Sequence, residues 1–128
     1  MTVPDPTDFS AAWVAAWNAH DLDAVLALFA ADVVFASPLA ARIVPGSGGV
    51  LRGKAALRAY WTEGLRLLPH LHLTVEQVFA GVDALVIVYR NERGGVVNEV
   101  LVFADGLVVE GHGTYPADDT SGAVSDLR

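Results

Sequence analysis

Apolar residues in the first half of the chain recur with the period of an α-helix. The first stripe consists of Phe9, Trp13, Ala16 and Trp17. This spacing places both tryptophans on one face of a first helix. A second, shorter helix is predicted after Asp21, and a third between Gly53 and the helix-ending Pro69.

The second half of the chain has the two-residue period of extended strands. Turn signals at "AGVD", "RGG" and "ADG" divide it into four predicted strands, over residues 71–80, 84–93, 96–104 and 107–115. An earlier strand is predicted over 32–38, followed by a long loop over 39–51 that could serve as a lid. Helices followed by hairpin-linked strands predict an α+β fold, with helices on one face of an antiparallel sheet. The polar tail, 116–128, is predicted to fray.

Glycines in "GSGGVLRGKA", residues 46–55, resemble part of a phosphate-binding loop. That loop needs Ser or Thr after its lysine to hold Mg²⁺, and here Ala55 follows Lys54. An apolar strand should also precede the loop, and none does. The stretch is therefore predicted to border an apolar pocket rather than to bind a nucleotide.

The hairpin "VYRNERGGVVNEVLVF" predicts which side chains share a face of the sheet. If Gly94 and Gly95 form a two-residue turn, Arg90 lies opposite Glu99. Val88 and Leu101 then share that face. Both faces of the hairpin are largely apolar, although a sheet with one solvated face should alternate apolar and polar residues. One face can pack on the helices, so the other predicts a homodimer through the outer sheet face.

Composition limits the classes of partner and the compartment. A length of 128 residues predicts one domain, 1–128. A net charge of -7 argues against nucleic acid and anionic membranes as partners, and no apolar run is long enough to cross a bilayer. Residues 1–10 lack the features of a signal peptide and the chain has no cysteine, so we expect a cytoplasmic protein. His70 and His72 share a strand face, but two histidines are too few to predict a metal.

Three stretches of the sequence resemble a known family. They are "AWNAHDLDAVLALFAADVVFASP", "LRGKAALRAYWTEGL" and "GHGTY", and the similarity extends from about Phe9 to Tyr115. They resemble the SnoaL-like polyketide cyclase branch of the nuclear transport factor 2-like superfamily. The resemblance implies a conical α+β fold, in which a strongly curved antiparallel sheet wraps around three N-terminal helices. It also implies an apolar pocket inside the cone and frequent dimers.

Two enzymes of this superfamily provide positions for comparison. By similarity to ketosteroid isomerase, the catalytic base falls at Ser37, the oxyanion tyrosine at Trp13 and a second acid at Glu99. By similarity to limonene epoxide hydrolase, a carboxylate falls near Thr114. Only Glu99 keeps the required group, so neither mechanism is expected here.

The family geometry together with strand alternation predicts a site. Glu99 would orient His112, and Arg90 would act as an electrophile or anion clamp. The predicted ligand-binding residues are Trp13, Trp17, Phe35, Ser37, Trp61, Val88, Leu101 and Thr114. Each group also has a purely structural interpretation. The ion pair and the histidine could lie at the rim of the sheet, and the tryptophans could belong to the hydrophobic core. On α-helical spacing, only one of Tyr60 and Trp61 is expected to face inward.

Two functions remain open at this point. The first is a cofactor-independent isomerase, cyclase or hydrolase that acts on a small apolar molecule by acid and base chemistry. The second is a non-catalytic ligand-binding or structural dimeric domain. Neither requires a cofactor.

Overall fold

The computed structural model describes residues 3–117 of the chain. It contains four helices and six strands. In chain order these are α1 (Pro6–Asn18), α2 (Leu22–Leu26), β1 (Phe29–Ala36), α3 (Pro38–Ile43), β2 (Val50–Arg52), α4 (Lys54–Leu67), β3 (Thr74–Ala80), β4 (Ala84–Arg90), β5 (Val96–Ala104) and β6 (Leu107–Thr114). The predicted α+β class is confirmed. The predicted frayed tail lies mostly outside the described residues.

The region predicted as a loop, 39–51, contains a helix and a strand. α3 begins at Pro38, whose fixed φ suits the first turn of a helix, and the Ser37 hydroxyl accepts a hydrogen bond from the Leu39 backbone N–H. β2 then pairs antiparallel with β1. Gly53 precedes α4 with a φ of +87°, a conformation that favours glycine. The "GSGGVLRGKA" stretch is therefore a turn, a short strand and a helix start.

The six strands form one sheet in the order β2-β1-β6-β5-β4-β3. All neighbouring pairs are antiparallel except β1 and β6, which pair in parallel. Hairpins join β3 through β6 in sequence, as the turn signals predict. The β1–β6 pairing is not a hairpin, because these strands come from opposite halves of the chain, and local turn signals could not predict it.

The β4–β5 hairpin differs from its predicted register. Val96 lies opposite Arg90 instead of Arg93, so the connection spans residues 91–95. The Asn91 side-chain oxygen closes this loop by accepting hydrogen bonds from the backbone N–H groups of Arg93, at 3.0 Å, and Gly95, at 2.9 Å. The register moves by an odd number of residues, which exchanges the faces of the two strands relative to each other. The predicted Arg90–Glu99 pair is therefore wrong, and Ile87 lies opposite Glu99.

The inner face of the sheet packs against α1 and α4. Its buried side chains include Leu85, Ile87, Tyr89, Leu101 and Phe103. Phe103 meets Phe9 of α1 in an edge-to-face contact with ring centroids 5.0 Å apart. Within residues 3–117, every helix is too short or too polar to span a membrane.

A row of side chains crosses the outer face of the sheet. By register, Phe79, Val86, Val100 and His112 are neighbours on four adjacent strands. Phe79 is 52% exposed, and the two valines are half-buried. The homodimer through this face stays a prediction, and this row is the surface that it would bury.

Asn18 fastens the end of α1 to the segment that precedes β3. Its Nδ2 donates to the Leu73 carbonyl at 2.9 Å, and its Oδ1 accepts from the Leu73 N–H at 2.8 Å. The His20 ring Nε2 lies 2.8 Å from the Leu71 carbonyl oxygen. The "NAHD" stretch of the sequence is thus a clamp between the helix and the sheet.

We expect Asn18→Ala to lower the free energy of unfolding by about 2–3 kcal/mol, because both backbone groups of Leu73 lose their partner. Asn18→Asp keeps the acceptor for the Leu73 N–H but has no donor for the carbonyl, so its loss should be intermediate. Urea denaturation measures both variants. A loss below about 0.5 kcal/mol for Asn18→Ala would show that the clamp contributes nothing.

Candidate functional site

A cavity lies between the inner face of the sheet and the helices, and we call it the inner chamber. It contains about 660 Å³ of empty space, counting its open mouth. Its lining is mainly aromatic and aliphatic. The lining residues are Trp13, Trp17, Phe29, Phe35, Ser37, Leu39, Tyr60, Trp61, Gly64, Leu65, Leu68, Leu71, Leu73, Tyr89, Glu99 and Tyr115.

Six of the predicted site residues line this chamber. They are Trp13, Trp17, Phe35, Ser37, Trp61 and Glu99. Leu101 lies on the inner face but is fully buried beneath the lining. Tyr60 and Trp61 both line the chamber, contrary to the expectation that only one could face inward. Neighbouring helical residues point about 100° apart, so both can flank a wide cavity.

The other four predicted residues lie on the outer face of the sheet. Val88 pairs with Asn98, and the Thr114 hydroxyl donates to the Asn98 carbonyl at 2.8 Å. His112 is bonded to Glu110, with Nε2 and Oε2 2.6 Å apart. His112 and Thr114 do share a face, as predicted, but it is the outer one, and the alternating Gly111 and Gly113 occupy the inner face.

Arg90 also points away from the chamber. The predicted register had placed it on the inner face, beside Glu99. Its Nε lies 2.8 Å from Glu76 Oε2, and its Nη1 donates to the Gly94 carbonyl at 2.7 Å. The predicted grouping of Arg90, Glu99 and His112 is therefore wrong. Of the three, Glu99 alone remains at the cavity.

Two glycines on β6 create the space for Glu99 and its neighbours. A Cβ at Gly111 would lie 2.7 Å from the Phe35 ring. A Cβ at Gly113 would lie 3.1 Å from the Ser37 hydroxyl oxygen and 3.5 Å from Glu99 Oε1. The "GHG" stretch is therefore explained by close packing on the inner face, since side chains there would displace these groups.

Glu99 projects into the chamber from the middle of β5. Burial raises the pKa of its carboxyl group to about 8, and a hydrogen bond from Tyr89 lowers that pKa by less. At neutral pH the carboxyl group is therefore mostly protonated. A neutral carboxyl group can both donate and accept a hydrogen bond.

Three tyrosines surround this carboxyl group, and the predicted site omitted all of them. Burial raises the pKa values of Tyr60 and Tyr89, and it raises that of Tyr115 to about 12. The nearby Ser37 hydroxyl lowers the pKa values of Tyr60 and Tyr115 by less than burial raises them. All three phenols keep their protons at neutral pH and can donate hydrogen bonds. The predicted register, in which Arg90 and Glu99 share a face, puts the neighbouring Tyr89 on the opposite face, whereas the observed register places Tyr89 on the same face as Glu99.

A family model described as a SnoaL-like domain matches residues 11–124. The chain belongs to this family. A SnoaL-like protein of unknown function from Burkholderia thailandensis is 38% identical, with a TM-score of 0.84 over 91% of this chain and 100% of that chain. No curated protein sequence matches significantly.

Two more distant structures share the SnoaL-like fold. TerC, co-crystallised with polyporic acid, is 16% identical, with a TM-score of 0.75 over 94% of this chain and 98% of its own. IdmH from Streptomyces antibioticus, a candidate polyketide cyclase, is 21% identical, with a TM-score of 0.74 over 97% of this chain and 99% of its own. Together with the family match, they show that the chain has the SnoaL-like fold.

Metal-binding side chains do not cluster in the described part of this SnoaL-like domain. Among residues 3–117, no group of three His, Asp or Glu side chains could hold a metal ion. His70 and His72 are both exposed. What the inner chamber offers chemically is a set of hydrogen-bond donors, namely one carboxyl group, three phenols and a serine hydroxyl.

Proposed function

We propose that the protein binds an apolar, ring-containing small molecule in the inner chamber and polarises one of its oxygen atoms through Glu99. The observation that carries this proposal is a single carboxyl group, neutral at pH 7, that faces an aromatic cavity. Its mainly apolar lining with a few polar groups is typical of sites for small organic ligands. The three tryptophans of the chain all line it and offer flat surfaces to rings.

A neutral carboxyl group in an apolar site can act as a general acid. It can donate its proton to a carbonyl oxygen, and nearby phenols such as Tyr89 can stabilise the charge that develops there. Glu99 is the one carboxyl group of the inner chamber among residues 3–117. After donating its proton, the resulting carboxylate can remove a proton from the carbon next to the carbonyl. The two transfers convert a ketone into its enol and restore the neutral acid.

Enolisation is the elementary step of cofactor-independent isomerisation and of ring closure through an enol carbon. The proposal is supported by two structural neighbours, one crystallised with polyporic acid and the other a candidate polyketide cyclase. A second candidate function is ligand binding without catalysis. It is favoured by the resemblance to ketosteroid isomerase, which implies that Ser37 and Trp13 replace the catalytic base and the oxyanion tyrosine of that enzyme.

A simple aryl ketone tests both candidates. We expect 2-acetylnaphthalene to quench tryptophan fluorescence and to bind about tenfold more tightly than 2-ethylnaphthalene, which lacks the oxygen. In D₂O, the wild-type protein should accelerate exchange of the acetyl methyl protons, followed by NMR, about 100-fold over Glu99→Gln. Glu110→Gln removes a carboxyl group from the outer face and serves as the matched control, with exchange unchanged.

Each outcome separates the candidates. Exchange that depends on Glu99 supports catalysis. Tight ketone binding without exchange supports the non-catalytic role and overturns the enolisation step. If neither naphthalene binds, the proposed ligand class is wrong.

A further inference from the structure

A second cavity adjoins the inner chamber and shares one wall with it, and we call it the outer chamber. It contains about 390 Å³ of empty space, counting its open side. The shared residues are Leu39, Leu68, Leu71, Leu73, Tyr89 and Tyr115. The outer chamber adds Val97, Asn91 and Glu92, so it extends toward the loop between β4 and β5.

The ionisable groups in the described lining of the two chambers are all acidic. Within residues 3–117, the lining of both chambers contains the carboxyl groups of Glu92 and Glu99, three tyrosines and no Lys, Arg or His. Arg93 follows Glu92 in the chain but lines neither chamber. The chain as a whole has a net charge of -7. An anionic ligand would therefore meet no opposite charge on the walls of either chamber.

Tyr89 lies where the chambers meet, within reach of both carboxyl groups. After burial, the negative charge of Glu99 is the next cause that raises the pKa of its phenol, and Glu92 contributes as well. The electrostatic influence of Glu92 thus extends from the outer chamber to the junction. A molecule lying along Tyr89 would have one end near Glu99 and the other near Glu92.

We propose that the ligand is an elongated molecule with an apolar ring end in the inner chamber and a protonated amine in the outer chamber beside Glu92. This inference rests on the proposed function, because it assigns the ring end to the Glu99 site. It further specifies the part of the ligand that extends from the inner into the outer chamber, and the positive charge on that part.

The polar groups of the outer chamber favour a donor on the ligand. The Asn91 side-chain oxygen is already engaged by the backbone of its own loop. Glu92 is exposed, and its carboxylate accepts a long hydrogen bond, 3.4 Å, from the His72 N–H. A carboxylate accepts hydrogen bonds and attracts cations, so an ammonium group matches it in both respects.

A series of naphthalenes tests the inference. Each carries a methylene chain of varied length that ends in an ammonium, a hydroxyl or a carboxylate group. At the best chain length, we expect the ammonium compound to bind wild-type protein about tenfold more tightly than the carboxylate, with the alcohol between them. Tryptophan fluorescence gives the dissociation constants. Raising the salt concentration should reduce the difference in affinity between the ammonium and the carboxylate compounds.

Two matched variants locate the effect. Glu92→Gln should reduce the preference for ammonium over carboxylate to less than about threefold while leaving the affinity of the alcohol unchanged. Asp83→Asn removes the same charge at the opposite end of β4 and should leave the preference intact, because screening limits charge effects to about 10 Å.

The results distinguish this inference from the proposed function. If all three end groups bind equally, or if Glu92→Gln keeps the full preference, the amine assignment is overturned while ring binding stands. If no compound of the series binds, including the alcohol, the inner-chamber proposal fails together with this one.

Discussion

We expect the wild-type protein to lose stability as the pH rises from about 5 to about 8, and we expect Glu99→Gln to abolish this loss. The carboxyl group ordinarily titrates at 4.5, and burial raises its pKa in the folded protein to about 8. Between these values the folded state retains a proton that the unfolded state releases. Stability therefore falls as pH rises through this range, by on the order of 3–5 kcal/mol, and levels off above it.

Gln has similar size and polarity but does not titrate, so the Glu99→Gln protein lacks this contribution. The measurement is the free energy of unfolding in urea, at a series of pH values, for both proteins. Other titrating groups are common to both proteins and cancel in the difference. The variant should gain stability relative to wild type as the pH rises. A difference that stays constant from pH 5 to about pH 9 would contradict the raised pKa and, with it, the neutral acid of the proposed function.

Trp61→Ala should lower the free energy of unfolding by about 3–5 kcal/mol, which is the range for removing a buried aromatic side chain. Trp61 is 7% exposed, and its ring lies 5.0 Å from that of Trp17, 5.3 Å from Phe29 and 5.7 Å from Phe35, measured between centroids. Removing it takes one partner away from each of these contacts. It also enlarges the inner chamber.

The binding of free indole distinguishes a local cavity at position 61 from a general collapse of the site. If the variant keeps its fold, the space left by Trp61 should accept free indole, which raises the melting temperature of the variant by more than that of the wild-type protein. Trp61→Leu fills part of the space and should lose less stability. Val82→Ala, at a site 97% exposed, should change neither stability nor indole binding. Stabilisation of both proteins by indole to the same degree would show that the cavity left by Trp61 closes.

The fold could be predicted further from the sequence than the site could. Helical stripes and turn signals predict α1, α4 and the four hairpin strands, since they depend on local periodicity. The register predicted from the "RGG" turn was wrong, because the Asn91 side chain closes a loop that is longer than a two-residue turn. That difference reverses the faces of β4 and β5 relative to each other. It moves Arg90 out of the site and brings Tyr89 into it.

Trp13, Trp17, Trp61 and Glu99 line the inner chamber, where helical spacing and the resemblance to the family placed them, and their roles there stay predictions. His112 was placed wrongly, because alternation alone gives the residues that share a face and does not say which face is inside. The close approach of Gly111 and Gly113 to Phe35 and Ser37 decides that question. Such contacts between distant parts of the chain leave no local pattern in a sequence.

The parallel pairing of β1 with β6 has a consequence for how the protein is made. A ribosome synthesises β1 early and β6 last, so the growing chain carries β1 with one unsatisfied edge during most of translation. Contacts between distant segments are also slow to form, because the intervening chain must first lose entropy. The sheet is therefore completed only after the C-terminal strand emerges, and the cavity gains its Gly111 and Gly113 floor in that same final step.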